Sequence, residues 1–196
     1  MHVIGLTGGV GSGKTVAAHM LAEILGAELL ISDELGHIVM QKGQEGYQRI
    51  IQTFGTEILD GQGEIVRERL SKVVFGDTEA LNRLNQIIHP AVKKYLRQYI
   101  EERKEKEGWL VLETAIMFET GCDALCNEVW YVYVSPETRR KRLKTGRGYS
   151  TEKTDAIMAK QMAEDAYRKR CQHVIENEGD EKELHDRLCR LIATVL

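Results

Sequence analysis

Five glycines fall within nine residues near the N-terminus, in IGLTGGVGSGKTVAA, directly after an apolar run and directly before Lys14 and Thr15. Glycine this dense weakens a helix or strand unless the backbone itself has work to do. Gly8-Gly9-Val10-Gly11-Ser12-Gly13-Lys14-Thr15 satisfies G-x-x-x-x-G-K-[ST]. In that pattern the glycines let successive N–H groups turn inward around phosphate oxygens, and the following helix presents its positive end. The lysine adds a mobile cation for the terminal phosphates, and the hydroxyl at position 15 is a ligand for Mg²⁺.

The short pattern gains meaning from its surroundings. HVIGL before it reads as a strand, and KTVAAHMLAEIL after it has helical spacing that closes on Gly26 as a C-cap. AELLIS then reads as a second strand leading into Asp33. Strand, helix and strand in about thirty residues form a βαβ unit, which implies a parallel sheet. The loop is therefore expected to bind a nucleoside triphosphate, with Gly9, Val10, Gly11, Ser12, Gly13, Lys14, Thr15 and Val16 as the binding stretch.

From 33 to 108 the pattern changes. Apolar residues recur at helical intervals in YQRIIQTF, LSKVVF, ALNRLNQII and AVKKYLRQYI, with Gly61 and Gly63 marking a turn. This reads as a helical lobe inserted between strands. WLVLET and EVWYVYV resume the strand pattern, and SPETRRKRL starts a helix with Ser135 as N-cap and Pro136 at its first position. A last strand, HVIE, precedes the helix DEKELHDRLCRLIATVL. The fold class expected is α/β: a P-loop NTPase three-layer core on a parallel sheet, with an inserted helical acceptor lobe and a helical lid.

Bulk composition narrows the setting. The 196 residues are 42% hydrophobic and 29% charged with a net charge of −3, an ordinary globular balance with no global basic field for nucleic acid. The four cysteines lack CxxC spacing; Cys122 and Cys126 could ligate zinc, but free thiols are the simpler reading. Without a framework of paired cysteines the expectation is a cytoplasmic protein. No apolar stretch approaches the ~20 residues of a membrane span, and the N-terminus lacks the charged start and apolar stretch expected of a signal peptide, since TGGVGSG interrupts it.

Which kind of nucleotide protein is this? No N-K-x-D specifies guanine, and WLVLE ends in Glu113 where a motor ATPase favours aspartate. A small phosphotransferase needs an acceptor site and a cationic lid. Asp33 follows the second strand, where strand ends converge on the ligand crevice of a parallel sheet, so its carboxylate can serve an acceptor hydroxyl as general base. Its other reading is the N-cap of ELGHIVMQ. RRKRLKTGR carries six cations in nine residues. It reads as a phosphate lid, a polyanion patch or a solvated helix face.

Taken together these residues resemble the dephospho-CoA kinase family, from IGLTGGVGSGKT to HVIEN. The resemblance includes ISDELGHIV around Asp33, FGTEIL…GEIVRERLSKVVF with Arg67, LNQIIHPAV with His89-Pro90 after a helix, VLETAIMFETG with Glu113 and Glu119, Gln161, and VIEN ending at Asn177. It implies transfer of the ATP γ-phosphate, with Mg²⁺, to the ribose 3′-hydroxyl of dephospho-CoA. Lys14, Asp33, Arg142 and Arg147 would be catalytic. Asp33, Arg67, His89 and Glu119 would meet the acceptor, Asn177 would lie near the adenine, and Thr15 would take the metal. His89 reads equally as a packing residue beside Pro90, and Asn177 as a turn residue.

The implied layout is a single kinase domain with a nucleotide core at 1–32, 109–137 and 166–196, an acceptor lobe at 33–108 and a lid at 138–165. Partners would be the two small-molecule substrates alone, with no nucleic acid or membrane, on a monomer. The chain departs from the family pattern at Ala115 for proline, Ile116 and Met117 for leucines, Lys-Thr for Lys-Ser, and Cys171-Gln172 for Ala-Asp. In the lid, R-x-x-x-R counted from Arg142 lands on Gly146, with Arg147 one place later.

Overall fold

The computed structural model describes residues 1–195. The chain divides into two units, residues 1–31 with 104–195, and residues 32–103.

The first unit is built on a five-stranded parallel sheet of order β2-β3-β1-β4-β5, with β1 His2–Thr7, β2 Glu28–Ile31, β3 Trp109–Glu113, β4 Glu128–Tyr133 and β5 His173–Glu176. Strands buried on both faces read as unbroken apolar runs, which is why HVIGL, WLVLE and EVWYV announce themselves. Ile4, Leu6, Val111, Trp130, Val132 and Ile175 pack against helices α1 (Lys14–Leu25) and α9 (Glu181–Val195) on one face. The other face carries Met117 and Cys126 against Gly5, and Tyr131 stacked on Tyr167 at 4.6 Å between ring centres.

The strand registers decide what ends where. Glu113 pairs with Leu6 of β1 on one side and Ile31 of β2 on the other. The three strand ends next to the glycine loop thus bring a carboxylate to the middle of the sheet's C-terminal edge. Helix α1 closes as expected: Gly26 is left-handed at φ 59 and the Ala27 N–H reaches the Ala22 carbonyl. Beyond β4, α6 (Pro136–Arg147) begins with Ser135 capping the Thr138 N–H and Pro136 in its first turn. It is followed by α7 (Thr151–Ala159) and α8 (Glu164–Arg170).

The second unit is helical: α2 (Ser32–Ile38), α3 (Glu45–Phe54), α4 (Arg67–Val74) and α5 (Thr78–Glu101). Ile50, Ile58, Leu70, Leu84 and Ile87 form its core. Its one β feature among the described residues is a bridge between Leu59 and Ile65 that closes the turn at Gly61 and Gly63. Asp60 holds that turn by accepting from the Gln62 and Glu64 N–H groups at 2.9 Å each.

Two local readings are corrected. His89-Pro90 does not follow a helix; it lies inside α5, which runs unbroken for 24 residues. Proline in a helix interior costs about 3 kcal/mol. The helix persists because Ala80, Leu84 and Ile87 before Pro90, and Val92 and Leu96 after it, are all buried. Asp33 is not an N-cap either: α2 starts at Ser32, so Asp33 sits in its first turn. There its charge suits the positive helix end.

Among the described residues no helix is long and apolar enough to cross a membrane. Burial pushes the thiols of Cys126 and Cys171 up, to about 12 and about 11. These two remain protonated and unreactive at neutral pH.

Candidate active site

Residues 8–15 join β1 to α1 as a tight loop. Gly11 and Gly13 both sit at φ 77, a conformation that side chains resist. A Cβ on Gly13 would also fall 2.6 Å from the Asn177 Nδ2 atom. The loop is braced internally by the Ser12 N–H, which donates to the Gly9 carbonyl at 3.1 Å.

Lys14 and Thr15 open α1 beside Glu113. The Lys14 Nζ lies 3.9 Å from one Glu113 oxygen, and the Thr15 hydroxyl donates to the other at 3.3 Å. Glu113 is only 4% exposed, so its charge is held by these neighbours in a poorly hydrated place. A hydroxyl and a carboxylate side by side are hard oxygen donors, the set that suits Mg²⁺.

Asn177, just past β5, is buried and donates through Nδ2 to the Ser12 carbonyl at 2.8 Å. It grips the phosphate loop itself, and is more than a turn residue. Arg142 of α6 donates to the Gly179 carbonyl at 3.0 Å, two residues beyond Asn177. The two therefore share one side of the loop. Glu178 ties the same segment to the start of α6, accepting from Thr138 Oγ1 at 2.6 Å, and these bonds hold its carboxyl below the usual range.

Half of the cationic run is engaged within the fold. Arg139 bonds the Val10 carbonyl, Arg140 pairs with Asp155 at 2.7 Å, and Arg142 is placed as above. Lys141, Lys144 and Arg147 are exposed. This distribution fits a helix docked on the loop better than a free polyanion patch.

The remaining candidates lie apart from this cluster in the chain. Val16 is 40% exposed on α1. Glu119 is exposed on the segment after β3; burial first, and Glu119 second, push the Tyr167 hydroxyl up to about 12. Within the second unit, Asp33 is exposed in α2 and Arg67 is the exposed first residue of α4.

His89 is half-buried on α5, and burial holds its imidazole below the ordinary value. The unfolded chain then binds the proton more readily than the fold, so stability rises with pH through the region below about 6.5. His89→Gln is expected to narrow the gap between thermal midpoints measured at about pH 7.5 and pH 5.5. An unchanged gap would show that His89 does not titrate as its burial dictates.

The model of the dephospho-CoA kinase family matches residues 2–183. The chain belongs to this family. A dephospho-CoA kinase from Carboxydothermus hydrogenoformans is 36% identical over 97% of this chain and 92% of its own length. Among solved structures, a dephospho-CoA kinase from Campylobacter jejuni has a TM-score of 0.69 at 22% identity, covering 98% of this chain and 96% of that one. A shikimate kinase from Acinetobacter baumannii has a TM-score of 0.58 at 17% identity, covering 99% and 94%. At these identities the two structures show a shared α/β kinase fold.

Gln161 belongs to the dephospho-CoA kinase motifs, but its contact with the loop and the whole role of Arg139 are not written in them. The Val10 peptides are held by Arg139 and Gln161, which lie 129 and 151 residues away in the chain. Arg139 was visible only as one cation in a run, and nothing in its spacing distinguishes it from its neighbours.

Proposed function

We propose that this kinase transfers the γ-phosphoryl group of ATP to the ribose 3′-hydroxyl of dephospho-CoA, giving coenzyme A and ADP. Supporting the donor half is the loop geometry, with Lys14 beside a buried carboxylate and the loop carbonyls held from outside. Supporting the acceptor half is the family match across residues 2–183, which includes the whole second unit.

In this reading residues 9–16 hold the triphosphate, and Lys14 offsets charge on the terminal phosphates. Thr15 and Glu113 are the residues that would hold Mg²⁺. The ion, when bound, neutralises charge on the phosphate oxygens. Among the described residues no group of three His, Cys, Asp or Glu could hold a metal alone, which suits an ion that keeps several waters and binds through phosphate.

Asp33 accepts the proton of the 3′-hydroxyl as that oxygen attacks phosphorus. Residues 33–108 form the acceptor lobe, whose Arg67 and His89 serve the acceptor together with Glu119 from the segment after β3. Residues 138–165 act as a lid over the nucleotide core, closing to exclude water that would otherwise hydrolyse ATP. Arg142 and Arg147 are its cations. Arg142, bonded to the Gly179 carbonyl and close to Gly13 of the loop, serves the transferring phosphoryl group.

The test is incubation with Mg-ATP and dephospho-CoA, alongside shikimate, gluconate and nucleoside monophosphates, with products weighed by mass spectrometry. Coenzyme A should form and the other acceptors should remain unchanged. Phosphorylation of another acceptor in preference to dephospho-CoA would overturn the assignment. ATP turnover stimulated by RNA or DNA, with no phosphorylated small molecule, would overturn the reaction class.

A further inference from the structure

The glycine loop is clasped from outside at Val10. The Val10 N–H donates to the Gln161 Oε1 atom at 3.2 Å, and the Val10 carbonyl accepts from Arg139 Nε at 2.8 Å. Arg139 Nη2 closes the ring by donating to the same Gln161 oxygen. Both peptides that flank Val10 are therefore held by side chains, one from the second turn of α6 and one from just past α7.

The guanidinium lies directly against Gly9, where a Cβ would come within 2.5 Å of Nη2. Its other neighbours are Tyr131 and Tyr167, whose hydroxyls burial pushes to about 12, so they are neutral. Among the described residues no carboxylate pairs with Arg139; its hydrogen bonds go to the Val10 carbonyl and the Gln161 amide. Arg140 next to it spends its charge on Asp155.

A planar trans peptide points its C=O and N–H in opposite directions. Holding the Val10 carbonyl toward α6 therefore turns the Gly11 N–H to the other side of the loop. Asn177 does the same for the next glycine, holding the Ser12 carbonyl and so orienting the Gly13 N–H. These glycines need such anchors: nothing in a glycine's own sterics keeps it at φ 77 rather than on the opposite side of zero.

We propose that Arg139, held by Gln161, is a positioning residue for the phosphate chain. It fixes the Val10–Gly11 peptide so that the Gly11 N–H faces the phosphates, and it makes phosphate affinity depend on how α6 and Gln161 sit on the loop. The inference rests on the glycine loop being the ATP site, and not on the identity of the acceptor.

The experiment measures Mg-ADP binding calorimetrically without acceptor, for the wild type, Arg139→Lys, Gln161→Leu, Gln161→Glu and the double variant Arg139→Lys/Gln161→Leu. Lysine keeps the charge but loses the two directed N–H groups. Arg139→Lys and Gln161→Leu should each weaken ADP binding about tenfold, the loss expected for one charge-assisted hydrogen bond. Gln161→Glu keeps an acceptor oxygen for both partners and should retain affinity. The double variant should be no worse than the weaker-binding single variant, because Gln161 acts on the Val10–Gly11 peptide through the bond that holds Arg139. The KM for ATP should rise in parallel, while that for the acceptor does not.

Unchanged ADP affinity in Arg139→Lys would overturn the inference, as would additive losses in the double variant. A fall in kcat alone would make Arg139 a direct phosphoryl contact instead. Losses matched by a lower nucleotide-free melting temperature in every variant would reduce the clasp to a structural brace. A wild type that binds no ADP would overturn the nucleotide reading itself, and this inference with it.

Discussion

Asp33→Asn is expected to lower kcat by about 10³, the span of a positioned general base, while ATP affinity stays near that of the wild type. The substitution is nearly isosteric and its site is exposed in the first turn of α2, so the fold should tolerate it within about half a kcal/mol. Loss of the first-turn charge costs a few tenths of a kcal/mol at most. The amide keeps the shape and hydrogen-bonding reach of the side chain but cannot take a proton. The decisive readout is single-turnover phosphoryl transfer beside calorimetric ATP binding. Equal loss of both would make Asp33 a structural or metal-site residue.

Lys14→Met should separate from it cleanly, losing transfer and nucleotide affinity together. The lysine is the one cation that the loop motif itself supplies, and its charge-assisted bonds to phosphate oxygens are made in the ground state and strengthened in transfer. We expect kcat/KM for ATP to fall by about 10³ to 10⁴ and ADP binding to weaken as well. Methionine matches the length of the stem, so α1, whose Ala17, Ala18 and Leu21 are fully buried, should remain seated. Removal of the ammonium also takes one partner from Glu113. A buried carboxylate with less compensation takes up protons more easily, which shows as a lower melting temperature that Glu113→Gln in the same chain relieves. A Lys14→Met protein with wild-type kcat/KM would remove the loop from the chemistry.

The two variants also explain which parts of the site could be read from the sequence. Lys14, Thr15 and the glycines are legible because a phosphate loop is a local device: residues within one turn of chain supply its N–H groups, and only glycine permits their geometry. The parallel strands are legible for a similar reason, since burial on both faces leaves an unbroken apolar run. Helix α5 was harder. Proline is a sound signal for a helix end, and tertiary burial of Leu84, Ile87, Val92 and Leu96 overrode it. The roles of Asn177 and Arg139 at the loop were hidden altogether, because each acts on a backbone carbonyl more than a hundred residues away. A backbone group carries no residue identity, so no sequence pattern records such a bond.

The proposed reaction turns on one oxygen, the ribose 3′-hydroxyl. Tandem mass spectrometry of the product formed from Mg-ATP and dephospho-CoA locates the new phosphoryl group on the ribose. The account predicts a single product phosphorylated at the 3′-position, and no product from the analogue lacking only the 3′-hydroxyl. A phosphoryl group at another position, or ADP released with dephospho-CoA unchanged in mass, would contradict it.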